Sequence, residues 1–373
     1  MRIAVIAKLF APVTKESTMG QEKFIYELAK NLQKRGHYVT LFTTGDSEVE
    51  GVKQINVLEK SFWNDFYIEK NKEGTTNLIR NALKEEFSGY LSILYHLKNH
   101  DNEFDIIHDN SCHEVILSFQ KYLINLPFLS TVHIFPEDLR KIQEKTNHEN
   151  LKNHYIAISK KQLELAKPVK IFDKVYNGID INKFEFNENG GENTCFVGRI
   201  DPNKGPEESI EIIKQLDLNL ELAGPIVNQN FFDQKIKPNL TEKIKYGGVF
   251  SGDEMGKFYG DHKITILPFK GNEPFGFVSV ESMACGTPVI AFDRGAVSEI
   301  VKNGETGFIV PAGDTEAMAK AVRKIYEMPE EEYRQMRKNC RKHVEENFTV
   351  QKMVENYEKV YQKIIENWKK KNG

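Results

Sequence analysis

Two doubly wound α/β domains are predicted for this chain, on three observations. Its 373 residues exceed one ordinary domain and suit two of typical size. Short, continuous apolar runs, as in parallel strands covered on both faces, alternate with amphipathic helical segments. The alternation breaks at a turn-rich connector and then starts again.

The first run, "RIAVIA", reads as a buried strand. Gly20 then opens a helix whose apolar residues Phe24, Ile25, Leu28 and Leu32 recur at helical spacing. "RGHYVTLFTT" stops that helix at Gly36 and supplies a second strand, which completes a right-handed βαβ unit. "NLIRNALKEEFSGYLSILYHLKN" is a longer amphipathic helix, and "FDIIH", "PFLSTVH" and "HYIAIS" are further strands. The connector "KVYNGIDINKFEFNENGGEN" carries Asn-Gly and Gly-Gly turn signals. Beyond it come strands at "NTCFVGRI", "NLELAG", "KITILPF", "TPVIAF" and "TGFIV", with helices such as "GPEESIEIIKQL" and "TEAMAKAVRKIYEM" between them. The predicted domains are residues 1–170 and 171–349. A long helix follows, with Met353, Val354, Tyr357, Tyr361, Ile364 and Ile365 as its apolar residues.

A formal charge of −3 gives no global attraction to nucleic acid, so no nucleic-acid partner is expected. The basic ending "NWKKKNG" reads as a frayed, solvated terminus, with a weak contact to anionic lipid as the alternative. "MRIAVIAKLF" lacks a small-residue cleavage site and reads as a strand rather than a leader. No apolar stretch is long enough to span a bilayer. Cys112, Cys195, Cys285 and Cys340 are scattered without metal-ligand or disulfide spacing, so reduced thiols and a cytosolic setting are expected.

The chemistry concentrates in "NEPFGFVSVESMACGTPVI", residues 272–290. Pro274 keeps Glu273 out of a helical conformation, and Gly276 lets backbone approach a ligand closely. A helix is predicted from about Phe277, with its free amides facing back toward the loop as an anion site. Glu281 follows one turn later. Two carboxylates flanking an anion site suit a ligand with hydroxyls at both ends and phosphates between them, the form of a nucleotide diphosphate sugar. "FVGRIDPNKG" supplies cations: Arg199 offers a bidentate fork and Lys204 a point charge. Surface placement of these charges is the structural alternative. In the first domain, His133 ends a predicted strand on the carboxyl edge, where ligands of open α/β sheets bind. Capping or packing is its bland reading. His108 and His113 receive no role.

These blocks resemble family 4 retaining glycosyltransferases of the two-domain GT-B architecture. The matching stretches are "VYNGID", "GRIDPNKG", "LAGP", "EPFGFVSVESMACGTPVIA" and "GAVSEIVKNGETGFIV". They are joined by "MGQEKFIYELAKNLQKRGHYVTLFT", "FDIIHDN" and "LSTVH" nearer the start. The resemblance implies two Rossmann-like domains facing a central cleft, with the helix of residues 350–373 crossing back to the first. Residues 1–170 would be the acceptor side and 171–349 the donor side. Arg199 and Lys204 would hold the diphosphate and stabilise the leaving group. Glu273 would bind donor-sugar hydroxyls, and amides near Gly276, Phe277 and Val278 would meet sugar and phosphate. Glu281 would take the ribose, and backbone around Phe250 in "GGVFSG" the base. Gly20 would bring an amide to the phosphates, and His133 would face the reacting sugar. Two positions depart from the pattern: Met19-Gly20 stands where two glycines are usual, and Ser282 where alanine is common.

The implied reaction is retaining transfer from a UDP- or GDP-sugar to a glycan, glycolipid or other hydroxyl acceptor, in cell-surface glycan or glycoconjugate biosynthesis. It would proceed by same-face attack, with no covalent glycosyl-enzyme. No metal or other cofactor is expected, since the chain has no Asp-x-Asp and its cations can carry the charge. The expected location is the cytoplasm or the cytoplasmic face of the membrane. Rival readings are a GT-B epimerase or phosphorylase, or a non-catalytic sugar-nucleotide binder. A dinucleotide oxidoreductase is disfavoured because no Gly-x-Gly-x-x-Gly follows the first strand. Acceptor selection is expected between Asn56 and Asp101 and in "HIFPEDLRKIQ". A membrane-docking face around Lys70 to Lys98 is weighed against a solvated helix face.

Overall fold

Continuous apolar runs can be buried on both faces only if helices cover both sides of a sheet, and that is the arrangement in each half of the chain. The computed structural model describes residues 1–62, 75–133, 154–167 and 169–372. Two units emerge: Met1–Gly178 together with Val350–Gly373, and Ile179–Thr349.

Among the described residues the first unit has seven strands: β1 (Arg2–Ile6), β2 (Tyr38–Thr44), β3 (Lys53–Leu58), β4 (Ile106–Asp109), β5 (Phe128–Val132), β6 (His154–Ala157) and β7 (Ile171–Lys174). Their order is β3-β2-β1-β4-β5-β6-β7, with every pairing parallel. Its helices include α1 (Gly20–Lys34), α2 (Thr75–Asn99), α3 (Glu114–Leu123) and α4 (Lys160–Leu165). Ile6, Phe42, Ile107, Tyr90 and Leu94 sit in one apolar core between sheet and helices. The unit ends at Gly178 rather than at residue 170. The physical reason is β7, which pairs with β6 and so keeps residues 171–174 in the first sheet.

The second unit has β8 (Thr194–Val197), β9 (Leu220–Ala223), β10 (Ile244–Gly248), β11 (Ile264–Leu267), β12 (Val289–Phe292) and β13 (Gly307–Val310). Their order is β10-β9-β8-β11-β12-β13, again all parallel. Its helices include α5 (Pro206–Gln215), α6 (Gly252–Gly260), α7 (Phe277–Ala284), α8 (Val297–Ile300), α9 (Thr315–Tyr326) and α10 (Glu330–Asn347).

The last helix, α11 (Val350–Asn372), belongs to the first unit, as the resemblance implied. Buried tyrosines pin it there. The Tyr361 hydroxyl meets His108 Nδ1 at 2.7 Å, and the Tyr357 hydroxyl meets Thr131 Oγ1 at 2.8 Å. His108 Nε2 closes the network on Thr131 Oγ1 at 2.7 Å. Burial holds His108 well below the usual imidazole range, so the network is neutral. At the rim, Glu358 takes Arg35 Nη2 at 2.8 Å and His37 Nε2 at 2.8 Å.

A single guanidinium organises the second unit. Arg337 on α10 is fully buried. Nε donates to the Asn187 carbonyl at 2.7 Å, and Nη1 to the His262 carbonyl and the Tyr333 hydroxyl at 3.1 and 2.9 Å. Nη2 reaches the carbonyls of Gly260 and Cys285, both at 3.2 Å. Gly260 ends α6 and Cys285 caps α7, so the cation faces the negative ends of two helix dipoles.

Arg337→Met keeps the apolar stem and removes the donors. It is expected to lower stability by on the order of 3 kcal/mol or more, because several buried carbonyls lose their partner together. Urea unfolding measures this, and an unchanged midpoint would show that those carbonyls find other donors. A pH dependence is expected at α11. The Arg35 hydrogen bond, then His37, holds the Glu358 carboxyl below its ordinary value. Its stabilising contribution is therefore complete above the ordinary carboxylate range and is lost as pH falls through the lowered one. Acid titration of thermal stability should show a smaller loss in Glu358→Gln.

Candidate functional site

In the second sheet the strand order reverses between β8 and β11. At such a reversal the connections of neighbouring strands go to opposite sides of a sheet, and it is at this point of the carboxyl edge that open α/β sheets take ligands. The loop after β8 carries Arg199 and Lys204, and the loop after β11 carries Glu273.

The structure joins these loops. The Lys270 amide donates to the Asn203 carbonyl at 2.8 Å. Lys204 Nζ lies 2.8 Å from Glu273 Oε2, with the two side chains 24% and 18% exposed. The same ammonium stands over the Phe269 ring, 4.2 Å from its centroid. Arg199 is more open: its Nε is 3.4 Å from Asp201 Oδ2 and its side chain is 55% exposed. Asp201 Oδ1 also accepts from the Asn203 amide at 2.9 Å, which shapes the turn.

Gly276 precedes α7 with φ 104° and ψ 57°. A Cβ there would sit 3.6 Å from Glu273 Cγ, an ordinary contact. Glycine is thus required by the dihedral and not by space. The amides of Ser279 and Val280 donate back to the Gly276 carbonyl. Among the described residues, no acceptor meets the amides of Phe277 and Val278. Two donors at a helix start, next to an ammonium, can hold an anion.

Glu281 lies one turn into α7 at 3% exposure, and its Oε2 accepts from the Tyr259 hydroxyl at 3.3 Å. Burial pushes that phenol well above its ordinary range. Phe250, half-buried after β10, stacks on Phe258 with centroids 4.7 Å apart. Helix α6 carries both Phe258 and Tyr259, so it links Phe250 to Glu281. Of the residues expected in this unit, Arg199, Lys204, Glu273 and Gly276 share two adjacent loops, and Phe277 and Val278 open the helix that follows the second. Phe250 and Glu281 are reached through α6.

In the first unit, Gly20 opens α1 behind Met19, without a side-chain cap. His133 follows β5. Its Nε2 is 3.2 Å from Asn110 Oδ1, and its ring meets Phe24 edge-on, centroids 4.7 Å apart. Burial, and secondarily Lys8, push the imidazole down to about 3. His108 belongs to the buried tyrosine network. His113 caps α3 by accepting from the Val115 amide at 3.3 Å. Residues 63–74 and 134–143, parts of the regions expected to select the acceptor, lie outside the described residues, as does Lys70 of the weighed membrane face.

Gly295, in "DRGAVSEI" after β12, was given no role from sequence. It has φ 64°, and a Cβ there would overlap the Glu273 backbone. The Ala296 amide also donates to the Glu273 carbonyl at 2.8 Å, so this third loop sets the position of Glu273. Beside it, Arg294 has a buried Nε with no acceptor among the described residues. The only available signal was a glycine in the turn that follows a buried strand. All four cysteines are buried and free. Among the described residues no three histidine, cysteine or carboxylate side chains are grouped to hold a metal ion.

Residues 178–343 match the family described as glycosyl transferases group 1, and residues 18–183 match the one described as Glycosyltransferase Family 4. A capsular polysaccharide biosynthesis glycosyltransferase of Staphylococcus aureus is 30% identical over 206 residues, covering 51% of this chain and 53% of that protein. The chain spans little more than half the length of this and several other curated relatives it matches. A sucrose-phosphate synthase from Thermosynechococcus elongatus superposes with a TM-score of 0.78 at 19% identity, covering 98% of this chain and 100% of that one. The Anabaena protein HepE in complex with UDP-glucose gives 0.75 at 17% identity, covering 97% and 100%. The likeness is one of fold, and the fold is GT-B.

Gly295→Ala is expected to combine left-handed strain with overlap on Glu273, costing about 2 to 4 kcal/mol. Gly313→Ala is the control, because Gly313 also has positive φ (84°) but open space around it. Thermal unfolding of both should show the larger loss at Gly295. Equal losses would mean that the packing on Glu273 yields freely.

Proposed function

The chain belongs to the family 4, group 1 glycosyltransferases, and from that premise we propose that it transfers a sugar from a UDP- or GDP-sugar to a hydroxyl acceptor, with retention of anomeric configuration. One observation carries this reading: the Lys204–Glu273 pair stands beside two amides at the start of α7 that meet no acceptor among the described residues, on the carboxyl edge where the strand order reverses. A cation and helix amides suit a diphosphate, and a carboxylate next to them suits the hydroxyls of the attached sugar.

In this mechanism Lys204 is shared between Glu273 and a phosphate oxygen when donor binds. Glu273 then has one oxygen held and the other open to sugar hydroxyls. Arg199, exposed and lightly held by Asp201, swings onto the diphosphate as a fork. As the glycosidic bond breaks, charge grows on the departing phosphate, and Lys204, Arg199 and the α7 amides stabilise it there. The departing phosphate accepts the proton of the attacking hydroxyl on the same face. Glu281 takes the ribose, and backbone near Phe250 the base. From the first unit, Gly20 contributes an amide to the phosphates and His133 faces the sugar. The cations in place support metal-independent transfer.

A UDP donor is favoured by the HepE complex with UDP-glucose. A role in cell-surface polysaccharide is favoured by the name of the Staphylococcus aureus relative. Four buried free thiols suit a reducing cytoplasmic setting. Among the described residues no helix is long and apolar enough to cross a membrane.

Calorimetry against UDP, GDP, ADP and their sugar conjugates tests the donor site. One base should be preferred, and chelator should leave its affinity unchanged. Lys204→Ala and Glu281→Ala should each weaken it roughly ten- to a hundredfold, as expected for lost charge-assisted bonds. Stability of Lys204→Ala should change by no more than about 1 kcal/mol, because the pair is partly solvated. No binding by any nucleotide overturns the donor assignment, and binding abolished by chelator overturns metal independence.

A further inference from the structure

Asn110 has no part in the reading above, yet the turn after β4 places it with unusual constraint. The turn Asp109–His113 is held from within. Asp109 Oδ1 accepts from the Ser111 amide at 2.9 Å and from its hydroxyl at 2.6 Å, and Oδ2 accepts from the Ser130 hydroxyl of β5 at 2.8 Å. Cys112 takes a left-handed conformation, φ 47°, with its thiol on the Thr131 carbonyl at 3.2 Å. A strained residue persists only where its surroundings over-determine it. Asn110 is fully buried inside this turn. Its amide donates to the Ile6 carbonyl at 2.9 Å, and its carbonyl accepts from the Gln21 side chain.

The side chain, through longer contacts than the backbone, also has one preferred orientation. Asn110 Nδ2 donates to the His108 carbonyl at 3.4 Å. Rotating the amide by half a turn would set two oxygens against each other, so Nδ2 stays on that carbonyl and Oδ1 faces His133 Nε2 at 3.2 Å. An amide oxygen accepts and cannot donate, so the proton between them belongs to the imidazole. We propose that Asn110 is a positioning residue that holds His133 as the Nε2–H tautomer, so that the ring presents the Nδ1 lone pair to a ligand hydroxyl.

The rest of the setting agrees. Phe24 packs edge-on against the imidazole and limits its rotation. Lys8 and His108 are the titratable groups facing it. One disfavours a second positive charge and the other is neutral within its own network. Among the described residues Nδ1 has no hydrogen-bond partner, so its acceptor capacity is unspent. Such a ring accepts a hydrogen bond from a sugar hydroxyl and does not deliver a proton. The identity of that hydroxyl rests on the reading of His133 as the residue facing the donor sugar. The tautomer does not.

Long-range proton–nitrogen correlation on the full chain, labelled with ¹⁵N-histidine, reads the tautomer directly and needs no substrate. The His133 signals are assigned by their loss in His133→Gln. The expected result is one neutral tautomer with the proton on Nε2 and an acceptor-type Nδ1. Asn110→Leu, similar in size but without the acceptor, should bring the two nitrogen signals toward each other as tautomers mix. Asn110→Asp retains an acceptor and should keep them apart. A wild-type ring protonated at Nδ1, or one already mixing tautomers, overturns the proposal even if neither variant folds. Full turnover of a nucleotide sugar by His133→Gln, with the wild-type tautomer as expected, would overturn the catalytic reading of His133 alone.

Discussion

Parallel pairing is the constraint on which the molecule depends. Every strand pairing in both sheets runs the same way. The segment leaving each strand therefore departs from one edge, and the return path must run over a face. In each sheet the order reverses beside the unit's first strand, at β1/β4 and at β8/β11. The segments that hold Asn110 in one unit, and Arg199, Lys204 and Glu273 in the other, leave from strands at these reversals. Polar groups that a core could not tolerate collect at an edge where backbone is open and helices begin.

Hydrogen bonds anchor the scaffold at particular points and are left open at the site. Away from the crevice, two large buried polar side chains are fully bonded. Arg337 meets acceptors with each of its nitrogens, and His108 is bonded at both. At the site, capacity is left unspent: the Phe277 and Val278 amides and the Nδ1 of His133 lack partners among the described residues. Fully bonded anchors that hold groups with capacity to spare are the physical meaning of preorganisation. Arg337 links the two directly, because it anchors the far end of the helix whose first amides face the crevice.

The central strands were legible because burial on both faces leaves an unbroken apolar run, as in β1, β8 and β11. The edge strands β3, β7 and β10 were not foreseen. Each is paired on one side only, and their half-exposed sequences "KQINVL", "IFDK" and "IKYGG" show neither a continuous run nor strict alternation. Missing β7 is what put the domain boundary too early. The loop residues Arg199, Lys204, Glu273 and Gly276 stood out because their chemistry is local: a charge, a turn and a helix start within a few positions. Gly295 and Asn110 act on partners more than twenty positions away, and no local pattern carries such a relation. The near-complete burial of Glu281 depends on where α6 packs, which is a tertiary fact.

The placement of α11 bears on how the chain is made. Its 23 residues supply Tyr357 and Tyr361 to a network whose other members, His108 and Thr131, are synthesised far earlier. The whole second unit lies between them in the sequence. On a ribosome, the first unit's sheet therefore emerges with His108 Nδ1 and Thr131 Oγ1 lacking their tyrosine partners and with the apolar seat of α11 uncovered. It stays incomplete while the second unit, contiguous in sequence, is made and is free to fold. Newly made chains thus pass through a stage in which the later half is finished and the earlier half is waiting, and a stalled or nicked chain ending before Val350 would be held at that stage.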